Sequence, residues 1–217
     1  MGEHFLPSSQ SLGMSLSNVV SARAGWDDME LVAASKKGDQ DAFAQLVQRY
    51  QRRVFNLVYR MLQEYEEATE TTQETFFAAW QGLPSFRGDA RFPTWLYRIA
   101  YNCSLKSLEQ RKRNKALQVA LQEEQSLERA DSAQSAETQL EAHERQAFIQ
   151  EHIAGLPAKY RVVLVLRHLQ DMTYEEMAEV LTIPIGTIKT HLFRARNLLK
   201  ERLQSLDRDR VMGTRGS

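Results

Sequence analysis

Only one cysteine, Cys103, occurs in 217 residues, which excludes an intramolecular disulfide and any zinc site built on paired thiolates. The five histidines, His4, His143, His152, His168 and His191, include no pair three or four residues apart, so no helical metal clip is visible and neither a metal nor a cofactor is expected. Even the apolar run Val162 to Leu166 falls far below the ~20 residues that span a bilayer, so no membrane insertion is expected. Residues 1–25 are rich in Ser and Gly but have no basic segment followed by an apolar stretch, so they do not read as a secretory signal, and a reducing cytoplasm is the expected compartment. Glycine-rich phosphate loops and nucleophile motifs are lacking as well, so the chain does not read as an enzyme. Proline, at five, and glycine, at ten, are scarce enough to favour long helices over many short strands. There is also no net charge: 28 Lys plus Arg oppose 28 Asp plus Glu. On average this counts against nucleic acid, whose phosphates are gripped by Lys and Arg, so the distribution of charge must decide.

Apolar residues recur at helical spacing from Trp26 to Leu62, and the Gly38-Asp39 step breaks the pattern into a short helix and a long one, with Asp39 or Asp41 as N-cap. A further helix runs from about Tyr65 to Gly82 and ends at Leu83-Pro84. After the Ser85 to Pro93 loop, Thr94 is placed to cap a long helix reaching about Arg113. From Asn114 to Leu140 aromatics vanish and acidic residues outnumber basic ones, which reads as a flexible acidic linker. Helical periodicity resumes over Glu141 to Gly155, Ala158 to His168, Thr173 to Leu181 and Ile185 to about Leu206. The expected fold is therefore all-α, with two small helical domains at 26–113 and 141–206, a linker at 114–140, a disordered extension at 1–25 and a tail at 207–217.

Two segments carry chemistry. Met172 to Leu192 has the spacing of a helix-turn-helix: Ala178 lets two helices approach, Met177, Leu181, Ile183, Ile188 and Leu192 face inward, Pro184 stops the first helix, and Thr187 can cap the second. The second helix bears Lys189, Thr190, His191, Arg194, Arg196, Lys200 and Arg202 against Glu201 alone, which suits a major groove, early residues meeting base edges and the rest phosphates. Taken alone, a basic helix is as often a solvated surface; the preceding turn pattern is what favours DNA. In the first domain, Trp80, Phe86, Phe92, Trp95, Tyr97 and Tyr101 are interleaved with Arg87, Arg91, Arg98 and Lys106, the composition of a surface that stacks unpaired bases and follows a backbone. Some of these rings must form the core instead, Trp95 and Phe76 foremost. Just upstream, Glu67, Glu70 and Glu74 share a helix face that would repel DNA and suits a basic protein partner or plain solvent.

In this order the pieces resemble the extracytoplasmic-function sigma factors, the two-domain group of bacterial transcription initiation factors, over nearly the whole span from Trp26 to Leu203. The resemblance rests on Gln73-Glu74-Thr75-Phe76 with Ala79-Trp80, on Phe86-Arg87-Gly88-Asp89 with Thr94-Trp95-Leu96-Tyr97-Arg98-Ile99-Ala100 and Asn102, on Leu156-Pro157, and on Gly186 through Arg196. It implies that Glu67, Glu70, Gln73 and Glu74 dock on the β′ clamp helices of core RNA polymerase, with the β subunit as a further contact. It implies that the Ser85 to Pro93 loop, with Phe86, Arg87, Asp89 and Arg91, captures a flipped minus-10 base. Trp95, Arg98, Asn102 and Lys106 of the following helix would hold the melted non-template strand. Lys189, Thr190, Phe193 and Arg194, with His191 and Arg196 beside them, would meet the duplex minus-35 element. An anti-sigma factor is a further implied partner. One departure stands out: Glu70 is followed by Thr71 and Thr72 where the family usually has two apolar residues, which implies weaker packing beneath the docking face. The rival reading is an autonomous helix-turn-helix regulator whose first domain senses a ligand or dimerises.

Overall fold

The computed structural model describes residues 25–122 and 153–213, and all regular structure among them is helical. The elements are α1 (Asp28–Lys36), α2 (Gln40–Leu62), α3 (Tyr65–Gly82), a 3-10 turn (Leu83–Ser85), α4 (Phe92–Gln122), α5 (Ala158–Leu169), α6 (Tyr174–Leu181) and α7 (Ile185–Gly213). The expectations for the N-terminal extension, for most of the linker and for the helix from Glu141 fall largely outside the described residues. Two compact units are formed, one up to Arg49 and one from Tyr50 onward.

In the first unit, Asp27 and Glu30 form a reciprocal capping box, each carboxylate accepting the other's backbone N–H at 2.8 Å. Gly38, at φ +91°, supplies the left-handed turn after α1, and Asp39 then accepts the Ala42 N–H at 3.0 Å, as the sequence suggests. Arg49 reaches back to Asp28 at 2.5 Å and to the Trp26 carbonyl at 2.9 Å. Leu31, Val32, Ala42 and Leu46 are buried, as their helical spacing predicts.

In the second unit α3 packs along α4, and α5, α6 and α7 pack on one another. Ala68, Leu83, Phe92 and Leu96 are buried in the first of these groups, Leu156, Leu166, Met177, Ile188 and Ala195 in the second, and Leu57 and Leu62 are buried at the end of α2. Burial of each larger aliphatic or aromatic chain contributes roughly 1.5–3 kcal/mol, which is what holds together helices of mediocre intrinsic propensity. Thr173 and Glu176 form a second capping box at the start of α6.

One helix start and one cap differ from expectation. α4 begins at Phe92, ahead of Pro93, and Thr94 is buried inside it. α7 begins at Ile185, with the Thr187 and Ile188 N–H groups donating to the Pro184 carbonyl at 2.9 and 3.1 Å, so Thr187 lies within the helix. Pro93 fits the first turn of α4, where its missing N–H costs nothing, so that helix starts ahead of the proline, whereas α7 starts directly after Pro184, at the expected Ile185. At their far ends, α4 continues past Arg113 to Gln122 and α7 past Leu206 to Gly213.

Candidate polymerase and nucleic-acid interfaces

On α3 the side chains of Glu70, Gln73 and Glu74 are exposed and share one face, and Phe77, 63% exposed, extends it. Phe77 was missed by the sequence reading, although the spacing 70, 73, 74, 77 is the signal that finds it. Glu67 behaves differently: its carboxylate pairs with Arg111 and accepts from the Ser107 hydroxyl, both on α4. Arg111 also donates to the Leu62 carbonyl at 3.1 Å, so this member of the basic run is committed within the protein. Beneath the face, Thr71 and Thr75 occupy buried positions. The Thr75 hydroxyl donates to the Thr71 carbonyl at 2.7 Å, and Thr72 to that of Ala68 at 2.7 Å. The Thr72 and Thr75 hydroxyls are thus satisfied by back-bonding within the helix. Cys103 lies half-buried beside Thr75, and burial pushes its thiol pKa up, which keeps it protonated and unreactive.

The loop before α4 and the first turns of that helix form an aromatic knot. Phe86 is only 5% exposed, with its ring centroid 4.9 Å from Trp95 and 6.2 Å from Phe92. Expected at the DNA surface, Phe86 instead serves as core: a large apolar ring gains more from close packing against two others than from solvent contact. Trp95 is half-buried on the same cluster and lies against Gly82, where a Cβ would stand 3.2 Å from the indole. Arg87, Asp89, Arg98, Asn102 and Lys106 are exposed. Arg91 is also exposed but pairs with Glu176 of α6 at 3.2 Å, while Tyr97, buried, donates its hydroxyl to Gln170 at 2.8 Å.

On α7, Lys189, Phe193, Arg194 and Arg196 are exposed, Phe193 by 66%, and the Thr190 hydroxyl is bound to the Gly186 carbonyl at 2.9 Å. His191 is half-buried edge-on against Tyr160 of α5, centroids 5.4 Å apart, with its Nδ1 buried and unpaired. Burial first, then the Lys159 and Arg194 cations, hold its pKa below the ordinary value, so the ring is neutral and adds no charge to the helix. Arg194 hydrogen-bonds the Tyr160 hydroxyl and lowers its pKa. Lys159 sits 5.1 Å from the Tyr160 ring centroid. Lys159 and Tyr160 lie some thirty residues before His191 and Arg194, a proximity with no local signal.

Among the described residues no helix is long and apolar enough to cross a membrane. Residues 46–114 match the Sigma-70 region 2 family and residues 148–199 the Sigma-70, region 4 family. The RNA polymerase sigma-H factor of Pseudomonas aeruginosa is 35% identical over 186 residues, covering 84% of this chain and 96% of that protein. The ECF RNA polymerase sigma factor SigW of Bacillus subtilis is 37% identical over 176 residues, 79% of this chain and 94% of the other. Among solved structures, CnrH in complex with the cytosolic domain of CnrY superposes with a TM-score of 0.61 at 25% identity, over 82% of this chain and 97% of that one. Both halves of the helical fold and relatives matched over nearly their whole length lead to one conclusion: the chain belongs to the extracytoplasmic-function sigma factors of bacterial RNA polymerase.

Proposed function

We propose how individual residues divide the work of this sigma factor, which binds core RNA polymerase, directs it to promoters and assists their opening. Glu70, Gln73 and Glu74, with Phe77 as an apolar anchor, dock on the β′ clamp helices, and Glu67 steadies that face through Arg111. Region 2 spans residues 26–113 and region 4 residues 141–206, with the acidic segment 114–140 between them. In region 2, Trp95 on its bed of Phe86 and Phe92 offers an aromatic edge to unpaired bases, flanked by Arg87, Asp89, Arg91, Arg98, Asn102 and Lys106 along the non-template strand. Stacking and charge neutralisation there offset part of the unpairing cost. In region 4, Lys189, Thr190, Phe193, Arg194 and Arg196 meet the minus-35 duplex, and neutral His191 sets the tilt of the helix against Tyr160.

The observation that carries this reading is segregation of charge in a chain of zero net charge: exposed acids on α3, exposed cations on α4 and α7. The protein acts by binding alone, in the cytoplasm, with no cofactor. An anti-sigma partner is supported by the likeness to CnrH, solved with the cytosolic domain of CnrY. Co-purification with core polymerase followed by run-off transcription tests the whole. Arg194→Ala should weaken promoter binding by the reconstituted polymerase by roughly 1–3 kcal/mol for a base contact, or reduce the salt slope by about 0.9 for a phosphate contact. Tight, specific duplex binding by the protein without polymerase would instead favour an autonomous regulator.

A further inference from the structure

We propose that Tyr160 gathers Lys159 and Arg194, from two different helices, into one seat for a single backbone phosphate of the minus-35 duplex, which makes Lys159 a further DNA contact and Tyr160 the positioning residue of both cations. Arg194 enters through the minus-35 assignment above, on which this seat rests. Lys159 and Tyr160 are the second and third residues of α5, whereas His191 and Arg194, three apart, share one face of α7. The Tyr160 ring is buried and held edge-on by His191, centroids 5.4 Å apart. Its hydroxyl oxygen then serves two cations. Arg194 donates to it, and Lys159, whose ammonium lies 5.1 Å from the ring centroid, donates more weakly.

Both cations belong to exposed residues, and among the described residues neither is paired with a carboxylate. Two like charges drawn to one oxygen repel each other, and solvent removes only part of that repulsion. His191 beside them is held neutral by burial and by these same two charges, so it offers no relief. An anion that bridges the pair does. The donor set suits a phosphodiester, with the planar guanidinium on one unesterified oxygen and the compact ammonium on the other. A base edge fits less well, because guanine is read by the coplanar fork of a free guanidinium, and here the phenol already engages Arg194. The contact therefore contributes affinity and register rather than sequence choice.

Full-length Lys159→Gln, Tyr160→Phe and Arg194→Ala proteins, and a double variant combining Lys159→Gln with Arg194→Ala, are each reconstituted with core RNA polymerase and titrated with promoter DNA over a range of salt. Lys159 is exposed, so its substitution leaves folding intact, and Tyr160→Phe keeps the ring against His191. Lys159→Gln should weaken binding by about two- to tenfold, by the same factor on promoters with the cognate and with an altered minus-35 sequence. Each single charge variant should lower the salt slope by less than the roughly 0.9 of a lone phosphate contact, because the other cation still holds the phosphate, and the double variant by about 0.9 in all. Tyr160→Phe should weaken binding on its own but add nothing in the double variant, a pattern that a purely structural role does not produce. An uncharged methylphosphonate walked along the minus-35 strands should find one position at which Lys159→Gln and the parent bind alike. A slope lowered by about 1.8 in the double variant would overturn the shared seat, since two separate phosphates would then be involved. Binding by Lys159→Gln equal to the parent's, or a loss confined to the cognate sequence, would overturn the phosphate contact. If Arg194→Ala also binds as the parent does, the minus-35 assignment itself fails; if Arg194→Ala alone is impaired, only the shared seat fails.

Discussion

Thr182 ends α6 in the left-handed region, at φ 55° and ψ 42°, with its N–H bonded to the Ala178 carbonyl and its side chain exposed. A β-branched residue is poorly suited to that conformation: the left-handed region costs an L-residue about 1–2 kcal/mol, and glycine incurs none of this. Against that gain, glycine raises the entropy of the unfolded chain by about 0.4–1 kcal/mol. Thr182→Gly should therefore stabilise region 4 by about 0.5–1 kcal/mol, a rise of roughly 2–8 °C in the melting transition of a unit this small. Differential scanning calorimetry of the full chain, with Thr182→Ala as the intermediate case that keeps a Cβ but loses the branch, measures it. Promoter binding should be unaltered, because Thr182 lies in the turn and not on α7. A transition left in place or lowered by Thr182→Gly would refute the reasoning, and would mean that the turn draws its conformation from side-chain contacts rather than enduring it.

Phe86→Ala should destabilise region 2 by about 3–5 kcal/mol, seen as a lower urea midpoint in the protein alone, because the ring is enclosed by Phe92 and Trp95. A variant that melts like the parent but opens promoters poorly would instead return Phe86 to the DNA surface. His191 gives a pH signature: its native pKa lies below the ordinary value near 6.5, facing Tyr160, Lys159 and Arg194. The unfolded chain takes up the proton first, so the contribution of the neutral ring is complete above about pH 6.5 and is lost as pH falls from there toward the native value. His191→Gln should flatten the fall in melting temperature between about pH 7 and pH 5.5, and an unchanged slope would exclude the imidazole as its source.

Much of this was visible in the chain because local signals agreed with the fold. Spacing of Leu31, Val32, Leu46 and Leu57 located the early helices, and Ala178, Pro184 and Ile188 located the helix-turn-helix. Where expectation and structure part, the missing information is physical. Asn114 to Gln122 reads as linker by composition, yet it has neither glycine nor proline and is rich in good helix formers, so α4 runs through it. An aromatic ring carries no label for core or ligand, and Phe86 and Tyr97 are distinguished from surface rings only by what packs on them. Arg91 finds Glu176 85 residues away, and Gln170 finds Arg53 across 117, distances over which periodicity says nothing. For Glu67 the helix face was legible, but its engagement by Arg111 was not.

The threonines of α3 have a consequence for binding. Thr69, Thr72 and Thr75 each return a hydroxyl proton to the carbonyl four residues before, at 2.7–2.9 Å, so those oxygens serve the backbone amide and a side chain at once. Such sharing weakens and bends a helix, and threonine is a poor helix former to begin with. The element proposed to meet polymerase is therefore held straight by its neighbour α4 more than by its own ladder, and its amides should exchange with solvent faster than those of α5. Engagement by a rigid partner would slow that exchange, so that part of the recognition free energy goes into stiffening the helix and the affinity depends on how soft α3 is beforehand.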